Sequence, residues 1–293
     1  MRIMVTGAGG LVGRAAVRHC TVQNEHVIAL DHQSLDITDE VSIQAAFDHN
    51  RPDVVINCAA WTDVDGCEVD QPRALRVNAQ GPALLALACR RFDKLLITIS
   101  TDYVFDGEKA GFYTQRDQPN PQSVYAVSKL EGERRAQQAW ARTIVVRSGY
   151  VFGEGGTNFL STLLTGARRG EHLQVISDSF GTPTYAPDLA ARLYELARLD
   201  LPGLYHVVDS GEGASFADFA RTALAYAGLD LALLEEVSMK SLKRPAARPR
   251  NSRLRCLISE AFGLRPMPYW KDSLQDFIGA KIFPESIKLG SAG

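Results

Sequence analysis

Nowhere in its 293 residues does the chain sustain the roughly 18 consecutive apolar positions that a membrane-spanning helix needs. The first segment, MRIMVTGAGG, reaches glycines before a signal-peptide core could form. Cysteine is sparse: Cys20, Cys58, Cys67, Cys89 and Cys256 are odd in number, scattered, and never spaced as CxxC. That usage predicts reduced thiols and a cytoplasmic setting rather than a disulfide scaffold or a zinc knuckle. The six histidines show no ligand spacing, and no internal repeat or low-complexity tract is present. Charge of one sign is also missing. A net charge of −2 gives no global field for nucleic acid or anionic membranes.

What is there is an ordinary globular balance, 45% hydrophobic and 23% charged residues, with enough length for one large or two closely joined domains. Five short apolar runs punctuate the first half: RIMVT, HVIAL (26–30), DVVIN (53–57), KLLITIS (94–100) and TIVVR (143–147). Continuous runs of this length suit strands buried on both faces. Between them apolar residues recur at helical spacing, as at Leu11, Ala15 and Ala16. Strand–helix alternation predicts an α/β fold, a Rossmann-like doubly wound parallel sheet over 1–150. Parts of 172–208 are expected to complete the sheet. The alternation breaks after 150, which predicts a smaller substrate-binding α/β lobe from 151–171 and 209–278, followed by a tail at 279–293.

In such a sheet ligands bind beyond the carboxyl ends of the strands, and the unusual residues fall there. TGAGGLVG follows the first strand with glycines at Gly7, Gly10 and Gly13, so Leu11 and Val12 open the first helix. Glycine lets backbone N–H groups approach a pyrophosphate at the positive end of that helix. Asp31 closes the second strand, where an acidic side chain meets ribose hydroxyls and disfavours a 2′-phosphate. Asp36 and Ile37, in LDITD, are expected to flank an adenine. Ala59, Ala60 and Thr62, in NCAAWT, are expected to let the cofactor, NADPH or NADH, pass close to the backbone.

STDYVFDG sets Ser100, Thr101 and Asp102 at the same sheet edge, and YAVSK sets Tyr125 and Lys129 four residues apart, on one helix face. A hydroxyl, a phenol and an ammonium meeting at a nicotinamide form a carbonyl/alcohol hydride-transfer site. Thr101 is expected to hydrogen-bond the substrate oxygen, Tyr125 to protonate it, and Lys129 to hold the nicotinamide ribose and lower the phenol pKa.

These motifs, with RPDVVINCAAWTDVDGCE, VYAVSKLEGE, VRSGYVFGEGGTNF and RPRNSRL, make the chain resemble the extended short-chain dehydrogenase/reductase family over nearly its whole length. The likeness is strongest to the branch that acts on nucleotide-linked deoxysugars. The resemblance implies a Thr101–Tyr125–Lys129 site reducing a dTDP-linked 4-keto-6-deoxysugar, with Asp102 and Tyr150 seating the sugar. It also implies that the basic loop 240–255 lies over the nucleotide through Arg248, Asn251 and Ser252. Some relatives hold magnesium through a glutamate just after the glycine loop; Ala15 stands there, so no metal is expected. The expected assembly is a monomer or homodimer, with no nucleic-acid or membrane partner. A reductase or epimerase of another nucleotide sugar, and a non-catalytic cofactor-binding regulatory subunit, are the competing readings.

Overall fold

The computed structural model describes residues 1–156 and 158–282. Its centre is a six-stranded sheet: β1 Arg2–Thr6, β2 His26–Leu30, β3 Val54–Asn57, β4 Leu95–Thr101, β5 Thr143–Ser148 and a sixth strand, Gly203–His206. All neighbours pair in parallel. Across the sheet the order is β2, β1, β3, β4, β5 and the sixth strand, so the chain reverses direction between β1 and β3. A crevice opens at that switch point, beyond the strand ends.

Period-two alternation assigns each strand residue to a face. Ile3, Val5, Ile56, Ile97 and Val146 meet Ala16 and Cys20 of α1 (Leu11–Val22) and Leu189 and Leu193 of the helix Ala186–Leu199. Met4, Val55 and Leu96 face the other way, against Ile43 and Phe47 of α2 (Glu40–Asn50) and Leu85 of the helix Gly81–Arg91. β2 is the least buried of the six because it lies at the edge of the sheet, and the other edge strand, Gly203–His206, is half-buried at its first two residues.

The second half divides differently from its apolar runs. GLYHVV supplies the sixth strand, whereas Leu173–Ile176 leaves the main sheet and pairs in parallel with Leu234–Val237. A separate core forms there from Leu160 and Leu163 of the helix Phe159–Arg168, Phe219 and Ala223 of Phe216–Tyr226, and Trp270 and Phe277 of Trp270–Ile282. That last helix takes in the first four residues of the expected tail, 279–282; the remainder, 283–293, lies outside the described residues.

Asp209 joins the two layers. It is 1% exposed and accepts the Tyr185 N–H (3.0 Å) at the start of the helix Ala186–Leu199. Burial raises its carboxyl to about 8, the Tyr185 hydrogen bond opposes the rise, and Asp188 adds to it. The folded value lies above the unfolded value of about 4. This group's contribution to stability is therefore complete below about pH 4 and is lost as pH climbs through about 8. Asp209→Asn removes the titration, so its melting temperature should fall less steeply than wild type from pH 5 to pH 8. Parallel melting-versus-pH curves would exclude Asp209 as the responsible group.

Candidate active site

β1 ends in the glycine turn. Gly7 has φ +65°, and a Cβ on it would lie 2.6 Å from the Ala59 backbone nitrogen, so the turn after β1 and the turn after β3 are in backbone contact. A Cβ on Gly13 would lie 2.1 Å from the Gly7 carbonyl oxygen. α1 begins at Gly10 with no side-chain cap, which leaves its first N–H groups available to an anion. Gly10, Leu11, Val12 and Gly13 form one wall of a cleft of about 480 Å³.

β4 supplies the floor. Thr101 is its last residue, in register with Ser148 of β5. The Thr101 hydroxyl donates to Asp102 Oδ1 (3.1 Å) and accepts the Tyr103 N–H (3.2 Å). The opposite wall is the helix Val124–Ala139, started by Ser123, whose hydroxyl accepts the Ala126 N–H, and by Glu68, which accepts the Val124 N–H (2.8 Å). Tyr125 and Lys129 project from it into the cleft, and Lys129 Nζ donates to the Ile99 carbonyl (2.7 Å).

Electrostatics decide the protonation states. Burial pushes the Tyr125 phenol up; Thr101 opposes that, while Asp102 and Tyr103 add to it. Burial therefore outweighs the lowering expected from Lys129, and Tyr125 is held as a phenol, the form a proton donor needs. Burial lowers the Lys129 ammonium to about 8, against the opposing effect of Glu133. Asp102, 3% exposed, is raised to about 6 by burial, against hydrogen bonds from Ser252 and Thr101.

Of the residues expected from sequence, Gly10, Leu11, Val12, Gly13, Ala60, Thr62, Thr101, Asp102, Tyr125, Lys129 and Tyr150 line this one cleft. Gly7 and Ala59 support it from behind. Asp31 sits beside Gly9, with Cβ 3.7 Å from where a Gly9 Cβ would stand. Its Oδ1 accepts from Gln33 N, Ser34 N and Ser34 Oγ, which anchors an exposed carboxylate at the end of β2. Asp36 closes a turn by accepting from Thr38, and Ile37 is buried in the core beside α2. Tyr150 holds a left-handed backbone (φ +46°) with its ring stacked on Phe216 at 4.2 Å. Strain of this kind persists only where the surroundings fix it.

The three residues named on the basic loop all meet partners within the protein. Arg248 grips Asp65 bidentately (3.0 and 2.8 Å), Asn251 donates to the Lys109 and Gly111 carbonyls (2.6 Å each), and Ser252 donates to Asp102. None of the three lines the cleft. Their polar atoms meet internal partners because the loop folds down onto the protein, so they brace the site from outside it. The acidic turn is likewise structural. Asp63 caps the helix Val64–Val69, and Asp65 holds Arg248. Among the described residues no group of three or more His, Cys, Asp or Glu side chains could hold a metal ion.

Sequence reading missed several participants. Gly149 lines the cleft, and a Cβ there would lie 2.3 Å from the Asp102 carboxyl carbon. The Ser148 hydroxyl, on the same wall, has no hydrogen-bond partner among the described residues. Asn78 sits in a π-helical turn, Arg76–Gln80, and links the Trp61 backbone to the Ser128 hydroxyl (3.0 Å). A π-turn inside a helical run often marks a functional site, but its side-chain register is not readable from spacing.

The family model described as "RmlD substrate binding domain" matches residues 1–282. A dTDP-4-dehydrorhamnose reductase of Mycobacterium tuberculosis is 37% identical over 292 residues, covering 98% of this chain and 95% of that one. A crystal structure of a dTDP-4-dehydrorhamnose reductase from Clostridium acetobutylicum superposes with a TM-score of 0.92 at 36% identity, covering 96% of this chain and all of that one. The Bacillus anthracis counterpart, in complex with NADP, gives 0.91 at 31% identity, covering 94% and 98%. The chain therefore belongs to the RmlD substrate binding domain family, within the extended short-chain dehydrogenases/reductases.

Proposed function

We propose that the protein uses NADPH or NADH to reduce the 4-keto group of a nucleotide-linked 6-deoxysugar, with dTDP-4-dehydro-L-rhamnose as the substrate and dTDP-L-rhamnose as the product. The observation that carries this reading is the meeting of Thr101, Tyr125 and Lys129 in one cleft with the uncapped glycine turn. The residues fit a dinucleotide: Gly10–Gly13 for the pyrophosphate, Asp31 for the adenosine ribose, and Lys129 for the nicotinamide ribose. Bound there, the reduced nicotinamide supplies hydride. Tyr125 gives its proton to the carbonyl oxygen, and the Thr101 hydroxyl turns its one proton from Asp102 Oδ1 to the same oxygen. These side chains favour an enzyme over a cofactor-binding regulatory subunit.

The nucleotide portion has a place on the lobe side. Phe216 is shared between the cleft and an adjoining, mostly apolar cavity of about 420 Å³ lined by Phe159, Leu163, Ile176, Leu242 and Arg244. An aromatic, apolar wall with one cation suits a base and a phosphate. Arg244 thus takes the position of the nucleotide-facing arginine, and Arg248 holds the loop that carries it.

The test is a panel of dTDP- and UDP-linked 4-keto sugars and simple ketones, followed at the absorbance of reduced nicotinamide. Turnover confined to nucleotide-linked 4-keto sugars is expected. Equal turnover of a nucleotide-free ketone would overturn the assignment. Cofactor choice has its own check. Asp31→Asn keeps the Oδ1 acceptor that holds the turn and removes the charge facing a 2′-phosphate. The ratio of kcat/KM for NADPH to that for NADH should rise by a few-fold, the scale of one exposed charge contact. An unchanged ratio would place Asp31 away from the ribose.

A further inference from the structure

Tyr125, Lys129 and Glu133 follow one another at four-residue intervals, so a carboxylate stands one turn beyond the lysine on the same face of the helix Val124–Ala139. It is 5% exposed, as is Lys129; Arg147 is 3% and Ser100 6% exposed. The carboxylate is fully engaged. Arg147 of β5 donates Nε to Oε1 (2.9 Å) and Nη2 to Oε2 (2.7 Å), and Ser100 of β4 donates its hydroxyl to Oε1. The Arg147 guanidinium also lies over the Phe105 ring, 5.2 Å from its centroid. One buried carboxylate thus ties the helix bearing Tyr125 and Lys129 to β4, just before Thr101, and to β5, just before Ser148.

A buried ion pair is weak evidence for stability, since an apolar pair of the same volume often serves as well. Its position beside Lys129 gives it another use. A buried ammonium needs a compensating charge, yet among the described residues no carboxylate pairs with Lys129, whose Nζ has the Ile99 carbonyl as its hydrogen-bond partner. We propose that Glu133 is a positioning residue for the reaction. Clamped by Arg147 and Ser100, it stabilises the Lys129 ammonium from one helical turn away without pairing with it. The lysine therefore stays charged while its other donors face the cleft. The use of those donors rests on the proposed function; the electrostatic coupling does not. Were Arg147 absent, Glu133 would be free to capture the ammonium itself and withdraw it from the ligand.

The groups around Lys129 fix the sign. Tyr125 on its own helix is held as a phenol, and Cys58, after β3, is a thiol pushed up to about 12 by burial. His206, on the sixth strand beyond Phe105, is lowered to about 4 by burial and by Arg147, so it is neutral above pH 5. Arg147 is a cation. Glu133, which raises the Lys129 midpoint, is therefore the one carboxylate among these groups. Neutralising it leaves burial unopposed and the Arg147 charge uncompensated, and both lower the Lys129 midpoint.

The experiment is an NMR titration of lysine side chains in the full, isotope-labelled chain without cofactor, with Lys129→Met identifying the Lys129 signal. Glu133→Gln should move the Lys129 midpoint down by about one pH unit or more. Because breaking a buried pair can unfold the protein, Glu133→Leu with Arg147→Met, an apolar replacement of similar bulk, is titrated alongside and should show a smaller shift in the same direction. A purely structural role would lower the melting temperature and leave the midpoint in place. A midpoint unchanged within a few tenths in Glu133→Gln, or, should that variant not fold, no downward shift in the double variant, overturns the proposal. The titration uses no substrate or cofactor, so an inactive substrate panel would sink the reductase reading without touching this result.

Discussion

Tyr125→Phe should reduce turnover of a nucleotide-linked 4-keto sugar by about 10²–10⁴-fold, the usual contribution of a positioned general acid. The substitution removes one hydroxyl and keeps the ring, which is 9% exposed and packs edge-on against Tyr103 at 6.2 Å. The surrounding core, with Cys67 and Ala74, has no reason to rearrange, so the melting temperature should hold. The pyrophosphate wall and Lys129 are untouched, so the dissociation constant for NADPH, read from its fluorescence, should stay within a few-fold of wild type. Loss of turnover with binding retained assigns the effect to the proton. Activity within a factor of a few of wild type would remove Tyr125 from the mechanism, and loss of both would make it a structural residue.

Gly13→Ala should act on the opposite half of the site. Its Cβ would stand 2.1 Å from the Gly7 oxygen, 2.8 Å from the Gly7 carbonyl carbon and 2.9 Å from the Ala8 Cα. All three are backbone atoms, so no rotamer relieves the overlap. The turn must open away from α1, and Gly7 has little room to move because it abuts the Ala59 backbone. A displacement near 1 Å in a positioned site costs on the order of 10²-fold, and the NADPH dissociation constant should rise by about that factor. Calorimetry or fluorescence titration reads it, with circular dichroism to confirm the fold. Wild-type affinity in a folded Gly13→Ala protein would mean that the turn does not hold the pyrophosphate.

The parallel sheet was legible because its strands are buried on both faces and so appear as unbroken apolar runs. RIMVT, HVIAL and TIVVR each begin where the structure begins them. The cleft was legible for a related reason. Residues at the carboxyl ends of parallel strands must emerge on one edge, so Gly10, Thr101 and Tyr125 could be brought together from chain order alone. Leu173–Ile176 and Gly203–His206 look alike as apolar runs, yet only the second joins the main sheet. Run length carries no information about which edge is free to pair.

Arg248 shows the limit more sharply. Its charge and its proline-stiffened loop are sequence facts, but its partner, Asp65, lies 183 residues away. Glu133 is the converse. Its place on the Tyr125 face follows from 3.6 residues per turn, while its clamp by Arg147 and Ser100 depends on β4 and β5 lying side by side. Strand–helix order, the glycine turn and the convergence of Thr101, Tyr125 and Lys129 on one cleft were readable in the sequence, because local backbone geometry and short-range periodicity set them. Tertiary structure alone decided which polar side chains face the cleft and which are held by the protein, because hydrogen bonds and buried charges choose partners by distance in space, to which separation along the chain is blind.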